Sequence, residues 1–461
     1  MRRLLGVIIF LLGTLGSQAQ TTHLLDSTTL TSRVVKSDLD IPWEIIWGPD
    51  DHIWCTERFG RVSRINPITG TQDILLDISS DVYERSEAGM LGMALHPDFV
   101  NNPHVFIAYT YLAGSEILER LVRYNYSRGS LTPADTLIEG IIGNATHIGC
   151  RLIFLPDNTL LMTTGDAQKQ SLPQDRNSLA GKVLRMNTDG SIPTNNPDPT
   201  SHVWSYGHRN AQGLWLAPNG IVYSSEHGPS TDDELNIISG NWNYGWPDVR
   251  GFCDTPPELA FCNSNFTKEP LAAYTPTIAP SDIIWYDHPA IPEFQDKLLM
   301  TVLKDRSLIA YTFNATGDSV VAENKYFRND FGRLRDVCVS PAGKVYLATN
   351  GSSWANTSPF THSIIELSNN AYMPSSVDDL GDSGLSVKVF PNPLSQNQTL
   401  TISIDQAQHC NFELYNMAGQ LVLKKAISET EHIDLQAEAG LYFYRLVNRE
   451  GKQISGKLVV E

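Results

Sequence analysis

His147, in Thr146-His147-Ile148-Gly149-Cys150-Arg151, is a side chain placed to move a proton. An imidazole titrates near pH 6.5 and can act as a base near neutrality, although a lone histidine is more often structural or solvent-facing. Farther on, Arg333 and Arg335 stand two residues apart in Arg333-Leu334-Arg335-Asp336. On a plain strand that spacing points both side chains the same way. Guanidinium forks pair with carboxylates, and together with Lys304 the two arginines make a basic cluster; ordinary surface ion pairing is the alternative. The stretch Gly207-His208-Arg209-Asn210-Ala211-Gln212-Gly213-Leu214 adds one guanidinium and two amides, or is a tight turn between repeats. Ser225-Glu226-His227-Gly228-Pro229 leads to Asp232-Asp233-Glu234, which could equally be a solvated acidic turn. His202, His208 and His227 are scattered without zinc spacing.

These residues sit at the ends of short alternating strand patterns. Ile45-Ile46-Trp47 turns through Gly48-Pro49-Asp50-Asp51 into Ile53-Trp54-Cys55, and five further hairpins of this kind follow. They begin near residues 92, 151, 213, 282 and 334. A second strand pair often completes the unit, as in Gly181-Lys182-Val183-Leu184-Arg185. Four strands per unit and six units predict an all-β chain, a six-bladed β-propeller over 35–370. No long stretch carries the 3.6-residue apolar period of a buried helix. After a linker over 371–384 rich in Ser, Asp and Gly, residues 385–461 read as a small C-terminal β-sandwich of period-two strands. That unit holds no cluster of His, Asp or Cys.

Lys plus Arg total 34 against 51 Asp plus Glu, a formal charge of −17 among 461 residues. Such a balance excludes a non-specific nucleic-acid binder and makes the local Lys304–Arg333–Arg335 cluster more informative. Met1-Arg2-Arg3, an apolar run over 4–15 and Gly16-Ser17-Gln18-Ala19 read as a signal peptide cut after residue 19. No later run approaches the ~20 apolar residues of a membrane span, so no transmembrane segment is expected after cleavage. Of the six cysteines, Cys253 and Cys262 are the most plausible pair, flanking a proline-containing loop. Cys55 and Cys338, in the first and last repeats, are a further candidate bridge if the ring closes.

Four motifs, taken together and in order, resemble the glucose/sorbosone dehydrogenase family, soluble quinoproteins that use pyrroloquinoline quinone (PQQ). They are Glu87-Ala88-Gly89-Met90-Leu91-Gly92 with His96-Pro97-Asp98-Phe99, the His147 segment, the Gly207–Leu214 segment, and the Ser225–Pro229 segment with Asp232–Asn236 and Asn243-Tyr244-Gly245-Trp246-Pro247. The resemblance implies that His147 takes the proton of a sugar C1 hydroxyl, that Asp166 orients it, and that Arg209 stabilises charge on the quinone oxygen. It implies PQQ contacts from Glu87, Asn210, Gln212, Lys304, Arg333 and Arg335. It also implies Ca2+, held through Gly228 and Pro229, with a second ion near Asp233 and Glu234. An external electron acceptor (quinone, dye or cytochrome) would complete the cycle. Two departures stand out: Glu87 where well-known glucose dehydrogenases carry Gln, and Cys150 beside His147 where a small residue is usual.

The tail is similar to the C-terminal sorting domain of Bacteroidetes type IX secretion cargo, through Pro391-Asn392-Pro393, Tyr415-Asn416-Met417-Ala418-Gly419-Gln420, Gly440-Leu441-Tyr442-Phe443-Tyr444 and Gly456-Lys457-Leu458-Val459-Val460. The likeness implies recognition by outer-membrane export machinery and a secreted or cell-surface destination. Against a PQQ-dependent oxidation of an aldose to its lactone stand two other classes, a glycan- or protein-binding propeller and a calcium-dependent lactonase. Neither gives the Lys-Arg-Arg cluster work to do.

Overall fold

The computed structural model describes residues 20–351, 360–372, 387–395, 398–404, 410–416, 420–448 and 453–460. The expected signal peptide, most of the expected linker and Met417-Ala418-Gly419 lie outside these residues. Two compact units are present, 1–371 and 372–461.

In the first unit the short alternating patterns form six antiparallel sheets, five of four strands and one of five. Their first strands are Pro42–Trp47, Met90–Leu95, Gly149–Phe154, Ala211–Leu216, Pro280–Tyr286 and Arg333–Val339. Each of these packs against the first strand of the next sheet, and Arg333–Val339 packs back on Pro42–Trp47. Separate apolar layers fill the gaps between neighbouring sheets. Leu91, Phe106, Leu152 and Met162 pack between the second and third, and Leu235, Ile283, Met300 and Ile309 between the fourth and fifth. The sixth sheet is assembled from both ends of the unit. Thr29–Lys36, which begins before residue 35, pairs with Ile364–Ser368, and Arg33 meets Glu366 at 2.7 Å.

All six first strands share one irregularity. Their pairing with the second strand slips near the start, between Pro42 and Ile45, Met90 and Met93, Gly149 and Leu152, Ala211 and Gly213, Pro280 and Ile283, and Leu334 and Asp336. A bulge leaves a residue unpaired and re-aims its side chain. Residues within these slips include Glu44, Arg151, Gln212, Asp282 and Arg335, which link the first, third, fourth, fifth and sixth sheets. Arg151 lies at that junction, 2.6 Å from Glu44, 3.3 Å from Asp282 and 3.3 Å from Asp336. Burial pushes Glu44 up to about 8 and Asp282 well above the carboxylate range, against the pull of Arg151.

Two cysteine expectations have different outcomes. Cys253 and Cys262 are bonded, but the segment between them is not only a loop: Pro256–Asn265 is an α-helix. Two prolines open it, where an N–H is not needed, and Glu258 accepts from the backbone N–H of Thr255. None of its residues is buried, so it lacks the apolar period that would announce a helix. Cys55 and Cys338 are free and buried. They do share the apolar layer between the first and last sheets, where each packs as a small hydrophobe instead of a bridge half.

The second unit has a three-stranded sheet of Val387–Phe390, Leu400–Ile404 and Thr430–Ile433. A four-stranded sheet comprises Leu421–Ile427, Cys410–Asn416, Gly440–Asn448 and Gln453–Val460. Leu400, Ile402 and Ile433 of the first share one core with Phe412, Leu446 and Leu458 of the second.

Candidate active site

His147 precedes the first strand of the third sheet and has a left-handed backbone, φ 59°. Its carbonyl lies so close to Gly165 that a Cβ there would sit 1.8 Å away. Glycine at 165 is what brings the two loops together. The adjoining Asp166, 1% exposed, accepts from His147 Nδ1 at 2.7 Å. Its other oxygen accepts from the indole N–H of Trp246 at 2.8 Å, and the backbone N–H of Gln168 adds a third bond at 2.7 Å.

Arg209 Nη2 lies 3.0 Å from His147 Nε2. A guanidinium can only donate, so Nε2 accepts and the ring proton is on Nδ1, facing Asp166. The imidazole thus has its lone pair directed away from the carboxylate. Arg209 is held by a second bond to the His227 carbonyl, 2.9 Å, with its Cζ 5.3 Å from the Trp246 ring; burial pulls its pKa down. The backbone beneath it is anchored by Glu226, which accepts from the N–H groups of Arg209 and Asn210 and from His208 Nδ1.

From His147 a hydrogen-bonded chain runs to the basic cluster. The His147 backbone N–H donates to Glu87 at 2.9 Å, and Asn210 donates to the same Glu87 oxygen at 3.3 Å. Asn210 Oδ1 accepts from Gln212 at 2.9 Å, and Gln212 Oε1 accepts from Arg335 at 2.9 Å. Arg335 is buried, and burial together with neighbouring Arg333 draws its pKa down to about 9. Burial and Arg306 lower Arg333 likewise. The plain-strand parity expected to align this pair is broken by the slip between Leu334 and Asp336; the bulge, not simple alternation, sets where Arg335 points. Lys304 stands apart from this chain, exposed, with Nζ 2.7 Å from Thr277 Oγ1.

The remaining expected residues separate into two groups. Asp233 accepts from the N–H groups of Gly228 at 2.8 Å, Ile278 at 2.6 Å and Ala279 at 2.7 Å, so it fastens the Gly228 turn to the following loop. Glu234 shares a small cavity with Glu226, Gly228, Pro229, Asp232 and Arg209. Burial and the charge of Glu226 raise Glu234 to about 8. Cys150 is buried and donates to Glu119 at 3.0 Å. Sequence reasoning assigned no role to Glu226, Trp246 or Glu119, although the first two lie inside the quoted motifs.

Residues 39–355 match the family model described as glucose / sorbosone dehydrogenase. The chain belongs to the glucose/sorbosone dehydrogenase family. It is 31% identical over 416 residues to quinoprotein glucose dehydrogenase B of Acinetobacter calcoaceticus, covering 70% of this chain and 86% of that protein. Identity to the aldose sugar dehydrogenase YliI of Escherichia coli is 29%, over 70% of this chain and 91% of the other. The PQQ-bound structure of an aldose sugar dehydrogenase from Streptomyces coelicolor is similar with a TM-score of 0.64 and 30% identity, covering 76% of this chain and 98% of that one. The glucose/sorbosone dehydrogenase described here is an oxidoreductase of the quinoprotein type that oxidises a sugar. Residues 388–461 match the secretion system C-terminal sorting domain, and the protein is directed to a secreted or cell-surface location by that route. No helix among the described residues is long and apolar enough to cross a membrane.

Proposed function

We propose that the six sheets are the blades of a closed six-bladed propeller, and that His147, Asp166 and Arg209 assist there the oxidation of an aldose at its C1 hydroxyl to the lactone, the proton going to His147 and the hydride to bound PQQ. The succession of first strands, the slip repeated in each and the sixth sheet shared by both ends support that architecture. The shared core of the second unit supports a β-sandwich that serves as the ligand of outer-membrane export machinery.

A group with several carboxylates fits the basic cluster. Among the described residues neither Arg333 nor Arg335 has a carboxylate within ion-pair distance, and Arg335 hydrogen-bonds only uncharged oxygens, of Gln212 and Ser281. A buried cation without an anion is costly, and the carboxylates of PQQ would offset it, with Lys304 at the rim and Glu87, Asn210 and Gln212 as polar contacts. PQQ, when bound, supplies the ortho-quinone that accepts hydride and later passes electrons to an external acceptor. For Ca2+ the oxygen-rich donors are the carbonyls of Gly228 and Pro229 and the carboxylate of Glu234. The nearby Asn236 Oδ1, buried without a partner, adds to the surplus of acceptors that a hard cation requires. Asp233 supports this site through the Gly228 turn.

The chain's own work is proton management. His147 Nε2 becomes available to a sugar hydroxyl once Arg209 swings off it, and Arg209 is then free to meet negative charge developing on the oxidant. Asp166 stabilises the imidazolium that forms, itself held by Trp246. The observation that carries the proposal is the Asp166–His147–Arg209 line, joined through Glu87, Asn210 and Gln212 to an arginine pair with no carboxylate partner among the described residues. To test it, full-length protein stripped of metal is titrated with PQQ and Ca2+, following absorbance, and then given an aldose panel with an artificial acceptor. His147→Ala should lower turnover by about 10²–10⁴-fold with PQQ binding retained. Absence of PQQ binding, or undiminished turnover in the variant, overturns the proposal.

A further inference from the structure

The second sheet differs from its neighbours in length. Its strands His104–Ala113, Glu116–Ser127 and Ser130–Ile142 have 10, 12 and 13 residues, whereas the second to fourth strands of the other four-stranded sheets of this unit have three to seven. The surplus length extends the hairpin Ala113–Glu116 beyond the body of the sheet. Beside it lies a cavity of about 600 Å3 lined by Asp81, Tyr83, Tyr109, Tyr111, Leu112 and Arg120, among others. That volume falls within the ~300–1,000 Å3 of small-molecule sites.

The cavity is linked along the chain to the residues that hold His147. Tyr83 is fixed to the long strand by paired bonds with Thr110, its N–H to the carbonyl at 2.8 Å and its carbonyl to the hydroxyl at 2.7 Å. Four residues on, Glu87 accepts from the His147 backbone. Four extended residues span at most ~14 Å, so Tyr83 in the cavity lining lies within a few sugar rings of the Glu87 that holds the His147 backbone.

Its chemistry suits a neutral polyhydroxy ligand. The Arg120 guanidinium sits over Tyr111, Cζ 3.4 Å from the ring centre, and both residues line the cavity. Its single ion pair, with Glu139, is 3.8 Å long, and its buried Nε has no partner. Glu84, also in the lining, is neutralised by Arg58, and Asp81 balances Arg120. Tyrosine rings, the Arg120 guanidinium, the Asp81 carboxylate and the half-exposed Leu112 are what a pyranose presents partners for: an apolar ring face and hydroxyls at its edge. We propose that this cavity is a distal saccharide subsite, holding the far rings of an aldose oligosaccharide whose reducing end reaches His147. The proposal rests on the sugar-oxidising reading of the central site.

Two measurements on the full chain test it. In cofactor-free protein, calorimetric titration with glucose and with α-1,4- and β-1,4-linked tetraoses should show a tetraose binding more tightly than glucose. Tyr111→Ala and Arg120→Gln, each checked by its melting curve, should lose that difference; Arg120→Gln covers the case in which the tyrosine variant fails to fold. In protein loaded with PQQ and Ca2+, the tetraose-to-glucose ratio of kcat/KM should fall by about tenfold in both variants, the loss of one good contact. Tetraoses that bind no better than glucose, or variants with the wild-type ratio, overturn the subsite while leaving the dehydrogenase intact. No turnover of any aldose overturns the dehydrogenase reading instead.

Discussion

Cys150 and Glu119 meet between the third and second sheets, both buried and 3.0 Å apart. Burial pushes Glu119 up to about 8, the Cys150 bond pulling weakly the other way. An acid whose pKa is higher folded than unfolded contributes stability that is fully present below the ordinary carboxyl range. That contribution is lost as pH rises through the folded value. Unfolding of the first unit should therefore become easier between about pH 4.5 and 8 on this account, by roughly 5 kcal/mol at most. Glu119→Gln should flatten that slope, read as urea midpoints across the range; an unchanged slope would place the pH dependence elsewhere. At this scale the sequence was most legible where chemistry demands an unusual residue. His147, Asp166, Arg209, Asn210, Gln212 and Arg335, all singled out from their motifs, fall in one hydrogen-bonded network. Trp246 and Glu226 drew no role because their work is to hold other side chains, and an indole or a buried acid in a motif does not announce its partner. Asp233 was read as a neighbour of metal; it also accepts from three backbone N–H groups, and no spacing in sequence could reveal the two of them that lie 45 and 46 residues away.

Among elements, period-two strands and their turns were plain in the sequence, whereas the slip at the head of each first strand was not. A bulge changes one pairing without changing the alternation of apolar residues around it, so Arg333 and Arg335 could be matched for the wrong reason. The helix Pro256–Asn265 escaped notice because it buries nothing; its start is set by Thr255, two prolines and Glu258 instead of a hydrophobic stripe. With no core beneath it, this helix depends on the Cys253–Cys262 bond, which closes a loop of sequence separation nine. Loop-closure entropy for that length is worth about 2–3 kcal/mol. Replacing both cysteines by serine should speed amide exchange within 250–268 by roughly tenfold or more while the six sheets keep their protection. Equal exchange in the two proteins would mean that the helix is held by its surface contacts alone.

For the molecule as a whole, the cross-tie at the centre is Arg151. It comes from the third sheet and reaches Glu44 of the first, the Gln212 carbonyl of the fourth at 2.9 Å, Asp282 of the fifth and Asp336 of the sixth. Arg151→Met would leave three buried acids without their cation, a loss of about 3–5 kcal/mol. The unfolding midpoint of the first unit should drop accordingly, and a midpoint within error of wild type would show that the acids are neutral without it. The join between Thr29–Lys36 and Ile364–Ser368 has a consequence in time. Its Arg33–Glu366 contact is separated by 333 residues, so the sixth sheet cannot close until nearly the whole first unit has left the ribosome. At about 5–20 residues per second, that is roughly 20–70 s during which the earliest strand waits with an open edge. The first unit is thereby kept incomplete by its own topology until its last strands have emerged.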